Sequence, residues 1–297
     1  MKRLPRFRRN PDQLSSTRIT ERSHAILDAV ERYRVLSTSM IVQLVGGNED
    51  VTHRHLQRLY HLGLLERHVF KLSDEFTYSR TDAAKPNPKS DSNHRQATDT
   101  SPGRLLFLQH ELMISRFHFM LEKTCDQRQK EISLLNWRQG AELWNSVELE
   151  GGKRLPHRPD AFFSLQSAEN SERARLNHFL YEADRGTSSL SRMRDKLAAH
   201  HSFIVQAKHC GAYKIKRLRA ILIEASSVDR AERLREIAYE ICRDVELFWF
   251  TSSEIFSKQS PTLPGHNSQN FLDSPEIIFA PIWISQIGDN LKPLPFE

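Results

Sequence analysis

The chain has 297 residues, 38% of them hydrophobic and 27% charged, which suits a soluble globular protein of two domains or one large domain with extensions. Its net charge of +6 fits a nucleic-acid or other polyanionic partner. Cys125, Cys210 and Cys242 are far apart and odd in number, which argues against a disulfide framework or a structural zinc site and favours a reducing cytoplasm. No apolar run approaches the roughly 20 residues that span a bilayer.

The first residues, MKRLPRFRRN, are basic but have no apolar stretch behind them, so they do not read as a secretory signal. Lys2, Arg3, Arg6, Arg8 and Arg9 form a basic arm over residues 1–19, either a solvated tail or a strap along phosphates. From Thr20, an expected N-cap, Ile26, Leu27 and Val30 give one helix an apolar face. Ser37 caps a short second helix with Met40, Ile41 and Leu44, which Gly46-Gly47-Asn48 stops. Asp50 is expected to cap a third helix over 51–62, ended by Gly63.

At 100° per residue, Thr52, Leu56, Leu59 and Tyr60 gather on one side of that third helix. Arg54, Gln57, Arg58 and His61 gather opposite, as long donors do on a helix that reads a major groove. Leu64 to Arg67 and Phe76 to Tyr78 then read as two strands about a Lys71–Asp74 turn. Three helices and a hairpin over 20–82 predict a winged helix-turn-helix, used either for DNA or for protein contacts.

Residues 83–103, with three prolines and almost no large apolar side chain, predict a linker. The second domain is expected over 104–256, and residues 257–297 as an extended tail. It opens with a helix from Arg104 whose polar sector, Glu111, Ser115, His118 and Glu122, faces either solvent or a site. Strand-like runs follow at 132–137, 146–149, 160–165 and 179–183. A helix at 188–205, a strand at 218–225, a helix at 228–243 and a strand at 247–250 complete an α/β domain with a mixed sheet.

The carboxylates of this domain carry the candidate chemistry. In a strand, alternate residues share a face, so Glu182 and Asp184 point the same way, and Asp160 opens a strand that could pair beside them. Oxygen ligands on neighbouring strands suit Mg²⁺, which can generate a nucleophilic water and stabilise charge on a phosphate. Arg185, Arg192 and Lys196 are near enough in sequence to add positive charge. The same residues also fit a structural ion-pair network.

The blocks Thr20-Glu21-Arg22, Ile26-Leu27, Leu36-Ser37-Thr38, Arg58-Leu59-Tyr60 and Gly63-Leu64-Leu65 share an order with His110-Glu111-Leu112, Pro159-Asp160, Glu182-Ala183-Asp184-Arg185-Gly186-Thr187 and Lys196-Leu197. Together they resemble the replication-relaxation family of bacterial plasmids and integrative elements. The second domain also resembles the PD-(D/E)xK, restriction-endonuclease-like core. That resemblance implies Asp160 and Glu182 as metal ligands, with Asp184 standing where a lysine is expected. Either Lys196 supplies the cation from the following helix, making Asp160, Glu182 and Lys196 the catalytic set, or the site is not a nuclease. The implied partners are double-stranded DNA, a relaxase or replication proteins, and a second copy in a homodimer. A non-catalytic transcriptional or relaxosome-accessory regulator is the alternative.

Overall fold

The computed structural model describes Arg9 and residues 19–71, 74–81, 102–167, 175–255, 272 and 274–294. The chain divides into two compact units, Met1–Phe119 and Met120–Glu297, the division falling inside one long helix.

In the first unit, α1 (Glu21–Tyr33) leads through β1 (Val35–Ser37) to α2 (Thr38–Val45), α3 (Glu49–His61), β2 (Leu65–His68) and β3 (Thr77–Arg80). The three strands form an antiparallel sheet in the order β1-β3-β2. Thr20 and Ser37 cap α1 and α2 as their short oxygen-bearing side chains predict, accepting from Ser23 N and Met40 N. The third cap is Asn48, whose Oδ1 accepts from Val51 N at 3.1 Å, so α3 begins before the expected Asp50 cap. Glu49 and Asp50 thereby fall in the first turn, where the helix dipole favours negative charge.

The end of α3 is a Schellman reversal. Gly63 takes φ +75°, its N–H reaches Tyr60 O at 3.0 Å, and Leu64 N reaches Leu59 O at 3.0 Å. β2 is thus turned back over the last turn of the helix. Ile26, Val30, Leu36, Ile41, Leu56, Leu59 and Leu65 are almost completely buried, giving this unit a core of its own.

The long helix α4 (Pro102–Gln127) contributes its first two-thirds to this unit. Three members of its polar sector, Glu111, Ser115 and His118, are buried at the end of α1. Ser115 Oγ donates to Tyr33 O at 2.5 Å, Glu111 lies 3.7 Å from the Arg34 guanidinium, and the His118 ring lies 4.5 Å from that of Tyr33. Burial, with Arg32 nearby, pushes the His118 pKa down to about 3, so it is held neutral.

The second unit is built on a seven-stranded mixed sheet in the order β12-β11-β10-β9-β8-β7-β4. Its strands are β4 (Ile132–Gln139), β7 (Ala161–Ser167), β8 (Leu176–Asp184), β9 (Ala220–Ala225), β10 (Phe248–Ser252), β11 (Trp283–Ser285) and β12 (Leu291–Lys292). β8, β9 and β10 run parallel, joined through α5 (Leu190–Val205), the short α6 (Lys208–Ala212) and α7 (Val228–Ile241). The strand predicted at 146–149 lies outside this sheet, as β5 (Asn145–Glu148) paired with β6 (Arg154–His157). Part of the expected extended tail instead adds β11 and β12 to the sheet edge.

One face of the sheet, with Phe162, Leu180, Ile221, Ile223 and Phe250, packs in a core with Met193, Leu197 and Phe203 of α5 and Leu234 and Ala238 of α7. The opposite face stacks Trp137, Phe163, Phe179 and Trp249, successive ring centroids lying 5.8, 5.1 and 6.5 Å apart. Buried Glu224 is satisfied on that face by Tyr181 Oη and Ser253 Oγ, each at 2.7 Å. No helix among the described residues is long and apolar enough to cross a membrane.

Candidate nucleic-acid interface and carboxylate site

In the first unit, α3 is clamped to α1 from beneath. Arg22 donates to Thr52 Oγ1 at 2.7 Å and also contacts Gly46 O, while Ser23 Oγ and His55 Nδ1 lie 2.9 Å apart. Thr52, Leu56, Leu59 and Tyr60 are buried as their spacing predicts. His53 and Arg54 are exposed, and Gln57 and Arg58 half-buried. Among the described residues, the side chains of Arg54, Gln57 and Arg58 take part in no hydrogen bond or ion pair. Their charge is felt locally. Burial, and then Arg58, Arg22 and Arg54, hold the His55 pKa below its ordinary value.

His61 departs from the expected reading face, being only 1% exposed. The reversal at Gly63 brings β2 back beside the last turn, where Arg67 stacks 4.1 Å from the Tyr60 ring. His61 lies edge-on to Tyr60 at 5.2 Å, and burial followed by Arg67 and Arg9 lowers its pKa. It supports the helix end instead of facing outward with Arg54. Arg9 donates to Leu65 O at 3.3 Å and lies 5.5 Å from the Tyr60 ring, at the base of the hairpin. Arg6 and Arg8 lie outside the described residues.

In the second unit, the end of β8 and the start of β7 bring Asp160 and Glu182 together. Asp160 Oδ2 accepts from Ala183 N at 2.8 Å, and Asp160 N donates to Tyr181 O at 3.2 Å, which fixes the carboxylate against β8. Lys196, from the second turn of α5, places its ammonium against Glu182 Oε2 and 3.7 Å from Asp160 Oδ1. The other Glu182 oxygen meets His200 Nε2 at 2.6 Å. His200, one helical turn beyond Lys196, is buried with its ring 4.7 Å from that of His157, which in turn stacks 3.8 Å from Phe203.

Asp184 does not join this pair. Arg230 of α7 donates to its Oδ2 at 2.7 Å and to Ser188 O at 2.8 Å, and Gly186 N donates to Asp184 Oδ1 at 3.2 Å. Gly186 has φ +75°, and a Cβ there would come within 2.7 Å of Ser226 Oγ, so the loop after β8 has little room for another residue type.

The electrostatics follow from two acids sharing one lysine. Burial, reinforced by the Asp160 charge and opposed by Lys196, holds the Glu182 carboxyl well above its usual range. Burial disfavours the Lys196 ammonium, but Asp160 and Glu182 outweigh it, and the lysine pKa ends above its ordinary value. Burial and the positive Lys196 push His157 down to about 3. Burial, then His157 and Lys196, push His200 well down, so both rings are neutral near pH 7.

Among the described residues no group of three His, Cys, Asp or Glu side chains is placed to hold a metal ion. Mg²⁺ needs less, because it keeps several waters and is commonly held by one or two carboxylates together with substrate phosphates. Asp160 and Glu182 are two adjacent carboxylates, and the Lys196 ammonium already places positive charge between them. Asp184, engaged with Arg230, does not fit as a third ligand.

Lys196, Glu182 and Asp160 were legible as candidates from spacing and strand alternation. His200 was missed although it lies four residues after Lys196, on the same face of α5. Arg230 is 46 residues from Asp184, and no local pattern links the two.

No curated protein matches the chain in sequence. Residues 27–217, nearly two-thirds of the chain and parts of both units, match the replication-relaxation family. The chain belongs to the replication-relaxation family.

Proposed function

We propose that this is a duplex-DNA-binding protein of a bacterial plasmid or mobile element, acting in replication initiation, DNA relaxation or transfer. In this reading the first unit is a winged helix whose α3 enters the major groove. Arg54, Gln57 and Arg58 reach base edges or phosphates there, while Arg6, Arg8 and Arg9 of the arm hold phosphates. The observation that carries the proposal is that Arg54, Gln57 and Arg58 share one outward side of a clamped helix without any hydrogen-bond or ion-pair partner among the described residues. Duplex binding by the Arg54→Ala/Arg58→Ala variant tests it directly. Replication or relaxation proteins, a relaxase and a second copy of the chain are the proposed protein partners. The proposed location is the cytoplasm, on plasmid or nucleoid DNA.

We further propose that the second unit is restriction-endonuclease-like and nicks DNA with Mg²⁺ held by Asp160 and Glu182. When bound, the ion would supply an activated water and neutralise charge on the scissile phosphate. The chain's own part is to hold the ligands and to add charge. Ala183 N and His200 orient the two carboxylates. Lys196, partly exposed, would turn from its acid partners toward a phosphate oxygen. A plasmid-nicking assay with Mg²⁺ is expected to show activity that Asp160→Ala and Glu182→Ala each abolish while duplex affinity persists. Equal background cleavage by all three proteins would instead favour the non-catalytic regulator. One observation supports that second reading: Lys196 and His200 already engage both Glu182 oxygens.

A further inference from the structure

We propose that Trp144 and Arg158 form a stacking platform for single-stranded DNA at the mouth of the carboxylate site. The proposal deepens the nuclease-like reading of the second unit, but its test does not depend on cleavage.

Trp144 is 45% exposed, whereas Trp249 and Trp283 are at most 1% exposed. A large ring held in water on a mobile loop would mean little, but this backbone is pinned. Leu143, immediately before it, is fully buried and its carbonyl accepts from Tyr213 Oη at 3.0 Å and from Asn145 Nδ2 at 3.0 Å. Asn145, immediately after it, pairs with His157 across the β5–β6 hairpin. Trp144 is therefore presented with its backbone already ordered, which lowers the entropic cost of stacking a partner on it.

The Arg158 guanidinium lies 4.6 Å from the Trp144 ring centre, and among the described residues it forms no ion pair. Arg138 offers a contrast, being 3.3 Å from Glu142 and set over the Phe162 and Tyr213 rings. Arg158 precedes Asp160 by two residues, so their backbones are at most about 7 Å apart along the chain. Exposed Arg192, one turn before Lys196 on α5, is likewise without an ion pair among the described residues. Glu142, the acid nearest in sequence to Trp144, is paired with Arg138.

An exposed indole with an adjoining unpaired guanidinium matches one chemistry well: an unpaired base that stacks on the ring and a phosphate that meets the cation. The bases of intact duplex are stacked on each other and cannot use such a surface. A strand opened beside the scissile phosphate can.

The test uses the full-length protein and a labelled oligothymidylate of about twelve nucleotides. Fluorescence anisotropy gives affinity, and quenching of tryptophan emission reports stacking. Trp144→Ala is expected to weaken oligonucleotide binding by about 5- to 150-fold, the range for loss of one base–aromatic stack. Trp144→Phe should retain most of the affinity, Arg158→Gln should weaken binding and flatten its salt dependence, and duplex binding should be unchanged in all three. Arg54→Ala/Arg58→Ala should show the opposite pattern, which separates failure of the platform from failure of the duplex-binding proposal. Absence of oligonucleotide binding by the wild type, wild-type affinity in Trp144→Ala, or an equal loss for single strand and duplex would each overturn the inference.

Discussion

Replacing Lys196 with Met removes the cation that two carboxylates share while keeping most of the side-chain volume. Glu182 has a side chain only 2% exposed, and Asp160 is 13% exposed, so neither can turn freely to water. Neutral His200 remains as a hydrogen-bond partner but brings no compensating charge. Breaking a buried pair from one side costs about 3–5 kcal/mol. Lys196 is 28% exposed, which screens the interaction and places the expected loss near the lower limit, about 3 kcal/mol. For a unit of this size that lowers the melting temperature by about 6–12 °C. Adding Glu182→Gln to Lys196→Met removes one of the two acids left without their cation and should recover part of the loss. If Asp160 and Glu182 take Mg²⁺, the ion should stabilise Lys196→Met by about 2.7 kcal/mol at a concentration 100-fold above its Kd, and wild type by less. Differential scanning fluorimetry with and without Mg²⁺ measures all three effects. A Lys196→Met protein melting with the wild type would refute the reasoning, because it would mean that the acids do not depend on the shared cation.

Acid should weaken the first unit through two buried histidines. His68 is pushed down to about 4 by burial and Arg104, and His118 to about 3 by burial and Arg32. Their folded pKa values lie below the unfolded value, so their stabilisation is complete above about pH 6.5 and is lost as pH falls toward the folded values. At about 1.4 kcal/mol per pKa unit, His68 contributes on the order of 3 kcal/mol. His68→Gln should therefore flatten the decline in stability between about pH 6.5 and 4, as read by urea melts at each pH. Asn48→Ala removes the α3 cap and should cost about 1 kcal/mol in urea denaturation, with Asn48→Asp restoring it.

Much of the first unit could be read from local chemistry. Thr20 and Ser37 announce helix starts because an oxygen-bearing side chain satisfies a free N–H, and Gly63 announces a stop because the reversal needs a positive φ. The fate of His61 was hidden because its burial depends on where β2 returns, not on its angle around the helix. The polar sector of α4 misled for a similar reason. Helical spacing groups Glu111, Ser115 and His118, but only tertiary packing sets them against Tyr33 and Arg34.

In the second unit, strand alternation correctly put Glu182 and Asp184 on one face, yet a shared face is not a shared site. Two residues along β8 is far enough for α5 to claim Glu182 through Lys196 and for α7 to claim Asp184 through Arg230. The edge strands β11 and β12 were invisible for another reason. They have three and two residues, too few for alternation to register, and are ordered by pairing with β10 and with each other.

If α3 reads duplex DNA with Arg54 and Arg58, their removal must weaken duplex binding. The most direct measurement is the affinity of wild type and Arg54→Ala/Arg58→Ala for duplex DNA across a salt series. If each guanidinium neutralises one phosphate, the variant's slope of log affinity against log salt should be shallower by about 1.8. If either instead grips a base, each lost contact should cost about 1–3 kcal/mol of sequence discrimination. Both side chains point away from the core, so the melting temperature should hardly move. Duplex affinity, salt slope and discrimination all equal to wild type, in a folded variant, would contradict the account.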